Sequence, residues 1–174
     1  MLENIKVSFD VIEMMAFFWE SVRAKEKVAD AYMVEVANKE DMKPFYNEDF
    51  SPESVRKALS ALVNRELLNG STKAESRFWS ENMRMTEDLG LMRETLQPVK
   101  QLNLDNLKTE FQGQSKYNEV VVAFGLGHFD TYYVDENKIT INFFKIIPDF
   151  ITGEMKIEGQ DFKEYIENRV REIL

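Results

Sequence analysis

Hydrophobic and polar positions change their spacing near the middle of the chain. Between Asp10 and Asn38 there is no Gly or Pro, and Met15, Phe18, Trp19, Val22, Ala29, Met33 and Val36 follow helical spacing. Val11, Ile12, Met14 and Phe17 widen this stripe, so its start is expected to be buried nearly all round. "KPFYNEDF" (Lys43 to Phe50) reads as a connector. A second helix is expected after Ser51, ended by "NGST" (Asn69 to Thr72). A third helical region covers Ala74 to Leu96, with a break near Thr86 as N-cap and Pro98 as the stop.

The period then shortens. "NEVVVAF" (Asn118 to Phe124), "DTYYV" (Asp130 to Val134) and "KITINFFKI" (Lys138 to Ile146) are rich in β-branched and aromatic residues and read as strands. "DENK" (Asp135 to Lys138) is a hairpin turn, and a further small hairpin is expected around Thr152 and Gly153. Asp161 caps a last helix with Phe162, Tyr165, Ile166, Val170 and Ile173 on one face. The order predicts an α+β fold: a helical N-terminal half packed on a small antiparallel sheet, with a C-terminal helix. One domain spans 1–174, its helical part about 1–112 and its β-rich part about 113–174.

The net charge of −9 argues against unspecific attraction to nucleic acid or anionic lipid. It is unevenly spread: residues 1–50 and 102–174 each carry −5, and residues 51–101 carry +1. The absence of cysteine excludes disulfides, thiolate metal sites and cysteine nucleophiles. The opening "MLENIKVSFD" has acids where a signal peptide would be basic, and "MMAFFW" is too short to span a bilayer, so a cytoplasmic location is expected.

The least acidic third contains "SPESVRKALSALVNRELLNG" (Ser51 to Gly70). Ser51 is a favoured N-cap, Pro52 suits the first helical position, and Glu53 complements the helix dipole. Val55, Ala58, Leu59, Leu62 and Val63 build one apolar face, and Arg56, Lys57, Ser60 and Asn64 lie opposite. Ser51, Val55, Ala58, Leu59, Leu62, Leu67 and Leu68 resemble the recognition helix of winged helix-turn-helix proteins. That resemblance covers about 20 residues. It implies that Arg56, Lys57, Ser60 and Asn64 would face the major groove of DNA. The alternative, a capped structural helix, satisfies the same pattern.

The single histidine lies in "FGLGHFD" (Phe124 to Asp130). His128 as base and Asp130 as its orienting partner would make a polar site. No serine, cysteine or second histidine accompanies them, and the glycines are explained by a turn or bulge between two strands, so a structural role for His128 leads. "GLG" lacks the remaining glycine and the Lys-Ser/Thr of nucleotide-binding loops. No calcium-loop or carboxylate-bridged metal pattern is present, acid clusters such as "NKED" read as solvated surface, and no cofactor is implied. Phe17, Phe18, Trp19, Phe78, Trp79, Met83 and Met85 read as the helical core. Tyr132–Tyr133 and Phe143–Phe144 are adjacent pairs in strands, which points each pair to both faces of the sheet.

With no convergent catalytic set, the sequence favours a non-enzymatic binding protein. It would act through a protein partner or as a homo-oligomer, a dimer first, without a membrane. A transcriptional regulator using 51–70 is the second reading, and an enzyme with a site near His128 the third.

Overall fold

Residues 4–8, counted with the helical half, form a strand instead. β1 (Asn4–Ser8) half-buries Ile5 and Val7 and exposes Asn4 and Lys6, and it pairs in parallel with β2 (Glu119–Gly125). So short a run becomes a strand only when its partner, more than a hundred residues away, lies beside it. The computed structural model describes residues 1–174.

The expected first helix is two. α1 (Asp10–Arg23) ends in a reverse turn in which Lys25 takes φ 63° and the Glu26 N–H donates to the Ser21 carbonyl at 2.9 Å. Arg23 to Lys27 are all exposed, so no apolar side chain holds the helix on course there. α2 (Asp30–Ala37) follows, then a 3-10 segment over Glu40–Phe45. α3 (Pro52–Val63) has the expected cap: Ser51 Oγ accepts from the Ser54 N–H, and Ser54 Oγ accepts from the Ser51 N–H.

α4 (Lys73–Glu87) opens with a second capping box, between Thr72 and Glu75. The next break is at Asp88 rather than Thr86. Asp88 Oδ1 accepts from the Leu91 N–H at 3.0 Å and starts α5 (Leu89–Lys100), whereas Thr86 is buried inside α4 with its hydroxyl donating to the Asn82 carbonyl. Both residues are competent caps, and packing selects the exposed one. Pro98 does not stop α5, which runs two residues further. A short α6 (Asn106–Glu110) leads to β2.

β2 pairs in parallel with β4 (Lys138–Asn142), and β3 (Tyr132–Asp135) adds to the far edge of β4 in antiparallel sense. The order β1-β2-β4-β3 makes the main sheet mixed, so the antiparallel expectation holds only at β3–β4. The long helical crossover between β1 and β2 makes their parallel pairing possible, a relation that local patterning does not display. The second sheet, β5 (Ile146–Pro148), β6 (Met155–Ile157) and β7 (Gln160–Asp161), is antiparallel throughout and contains the expected hairpin. Phe143 and Phe144 lie in a 3-10 turn between the sheets, and both are buried. α7 (Phe162–Ile173) buries Phe162, Tyr165, Ile166 and Val170.

The α+β class with its C-terminal helix therefore stands. One continuous apolar cluster joins helices and sheet, and no helix is long and apolar enough to cross a membrane. Of the aromatic and methionine set expected inside, Phe18, Trp19, Phe78 and Met85 are buried, Trp79 and Met83 are half-buried, and Phe17 is 57% exposed.

Candidate interaction surface

The outward side of α3 is only partly open, and its charges are neutralised. The Arg56 guanidinium donates to Glu53 and, at 3.2 Å, to Asp30 at the start of α2, which packs on α3. Lys57 Nζ pairs with Glu75 Oε1 at 3.3 Å. Burial pushes the Glu75 carboxyl up, but hydrogen bonds from Ser54, the Thr72 N–H and Lys57 outweigh it and the net shift is down. Ser60 Oγ accepts from Asn64 Nδ2 at 3.3 Å. After α3 the chain passes through an irregular stretch directly into α4, with no strands where a wing would be.

His128 and Asp130 are not brought together. His128 is 4% exposed: its Nε2 is 3.0 Å from the Phe45 carbonyl and its ring packs edge-on against Phe50. Its Nδ1 is buried without a partner. Asp130 is exposed and accepts a hydrogen bond from the Tyr133 hydroxyl.

The glycines beside them have a different cause from a turn or bulge. A Cβ on Gly125 would lie 2.2 Å from the Asp41 carbonyl oxygen, and one on Gly127 would lie 2.4 Å from the Phe45 ring. Both let the 3-10 segment close over the carboxyl ends of the parallel strands, where α/β sheets commonly hold ligands. Asn142 completes the seal. Its Oδ1 accepts from the Gly127 and Phe144 N–H groups, and its Nδ2 donates to the Asp130 carbonyl at 3.1 Å. Asp41 is buried rather than solvated, accepting from Ser8 Oγ at 2.7 Å and pairing with Lys138 at 2.8 Å. No group of three or more His, Cys, Asp or Glu side chains is placed to hold a metal ion.

The surface carries two features that patterning did not single out. The first is the tip of the β5–β6 hairpin. Asp149 Oδ1 accepts from the Ile151 and Thr152 N–H groups at 2.8 and 3.0 Å, and Oδ2 pairs with Lys156 at 3.2 Å. The Thr152 and Ile151 amides and Lys156 hold the Asp149 carboxyl down at about 2. Gly153 turns the chain at φ 75° and its N–H returns to the Asp149 carbonyl. This pinned turn presents Phe150 fully exposed and Ile151 94% exposed, with Ile147 half exposed behind them. "DFITG" gives the turn away through its Asp and Gly, but exposure of Phe150 and Ile151 depends on nothing else reaching the tip.

The second is a groove of about 380 Å³ where the C-terminal ends of α1, α3 and α4 meet. Val22, Leu62, Leu67, Trp79 and Met83 supply its apolar wall, and Leu67 is 75% exposed. Trp79 Nε1 is buried in this wall without an acceptor. Arg23, Arg65, Glu66 and Glu87 rim it, and none of the four is in an ion pair. Arg23 donates instead to the Glu87 carbonyl at the end of α4, where the helix dipole favours a cation. Comparison of the chain with protein-family models, curated proteins and solved structures finds no match.

Proposed function

We propose that this is a non-enzymatic, cytoplasmic binding protein that works through protein contacts, with the β5–β6 tip as the contact point. The observation that carries this is a turn held by its own aspartate that leaves two large apolar side chains at 100% and 94% exposure. Large exposed apolar side chains grouped on a rigid support mark contact sites more often than isolated ones do. A turn already fixed in shape loses little entropy on docking.

The nucleic-acid reading of 51–70 draws less support. Arg56 and Lys57 already face carboxylates, and a phosphate would have to displace Glu53, Asp30 and Glu75. The reading that places an enzyme site near His128 has no open cleft to use, since the imidazole faces Phe45 and Phe50.

The test is affinity capture from a native extract with the whole chain and with a Phe150→Ser/Ile151→Ser double variant. Retained thermal stability together with loss of the partners bound by the unmodified chain supports the reading. An unchanged set of partners sinks it.

A further inference from the structure

The hairpin and the groove lie at opposite ends of α5: Glu87 of the groove precedes it, and Gln97, Pro98 and Gln101 at its other end face Gly153, Glu154 and Met155 on the returning side of the hairpin. From this we infer that the occupant of the groove is the Phe150–Ile151 tip of a second copy of this chain. The inference rests on the protein-contact reading and names the partner.

Shape and polarity agree first. The tip offers an aromatic and a branched aliphatic side chain with no intramolecular cover, and the groove offers an apolar wall with Leu67 still exposed. The groove volume falls in the range of sites that enclose a small group.

Charge then selects the partner. Around the returning side of the hairpin, next to Gly153, stand Glu94, Glu154, Asp161 and Lys163, a local balance of −2, and the three acids are in no ion pair. The groove rim, with two arginines and two glutamates, is neutral, and most of it belongs to the only segment of the chain, 51–101, that is not acidic. On a chain of net charge −9, that is where an acidic hairpin from another copy is least repelled, with Arg65 in no ion pair and Arg23 bound only to the Glu87 carbonyl, both charges left for Glu94 and Glu154. An anionic membrane would repel the same tip.

Because tip and groove are different patches, the contact is head-to-tail, unlike a symmetric pairing of one patch with itself. This decides the experiment. Sedimentation of the whole chain is followed from micromolar to millimolar concentration, alone and as two variants with checked thermal stability. Phe150→Ser/Ile151→Ser removes the tip and keeps the groove, and Leu67→Asp, at an exposed position, does the reverse.

Each variant alone should self-associate at least roughly tenfold more weakly than the unmodified chain. An equimolar mixture should recover a one-to-one complex, since each variant retains the half the other lacks. An unmodified chain that stays monomeric overturns the inference, as does association that survives in the groove variant or a mixture that fails to recombine. None of these results touches the captured-partner comparison, so the broader reading can stand when this one fails.

Discussion

The sealed end of the parallel strands and the tip of the β5–β6 hairpin contrast in what their sequences advertise. "FGLGHFD" has the residues of chemistry, two glycines, a histidine and an aspartate, yet all but Phe129 and Asp130 are buried, the two glycines directly against the chain's own 3-10 segment. "PDFITGE" resembles an ordinary turn, and it carries the most exposed large apolar pair of the molecule. Residue type alone does not make a site. What counts is whether the fold leaves the group reachable, and a motif rich in glycine is as useful for close packing as for holding a ligand.

The contrast breaks most easily at the sealed end. Gly125→Ala places a methyl group against the Asp41 carbonyl, a backbone atom that cannot swing aside, and should destabilise by about 3 kcal/mol. A urea midpoint unchanged from the parent would mean that the segment is not seated on the strands. His128→Leu comes next. It loses the bond to the Phe45 carbonyl but also removes an unpartnered buried nitrogen, so the net cost should be about 1 kcal/mol. A larger loss, or a variant that unfolds, would show that the ring nitrogens do more than this one bond.

The smallest effect belongs to the tip. Asp149 is held low by the amides of Thr152 and Ile151 and by Lys156. A depressed carboxyl stabilises above its unfolded value and loses that contribution as pH falls through its folded value, here between about 4 and about 2. The Ile151 and Thr152 amide resonances should therefore titrate with a midpoint near 2 and stay flat at neutral pH. A midpoint near 4 would mean that the turn is not pinned, and the Phe150–Ile151 pair would lose its rigid support.

Much of the fold was legible because it rests on local physics. The Ser51 cap with Pro52 at the first helical position, the Asp161 cap, the DENK turn and the apolar faces of α3 and α7 depend on residues within a turn of each other. The division of α1 from α2 was less legible, because a stretch without Gly or Pro can still turn where nothing apolar holds it. The choice of Asp88 over Thr86 was hidden for a similar reason, since both side chains can cap and only burial of Thr86 decides. Of the sites singled out, the four polar residues of α3 do share an outward side, but their carboxylate partners Asp30 and Glu75 come from other helices.

The sequence by itself determined the α+β class, most helix starts and the apolar faces that make the core, because capping and periodicity act over a few residues. Tertiary structure alone decided the parallel pairing of β1 with β2 and the burial of Asp41 and His128. It also decided that Phe150 and Ile151 stay uncovered. Those outcomes depend on which distant segment arrives next to a given residue, and a spacing pattern holds no record of what a side chain will meet.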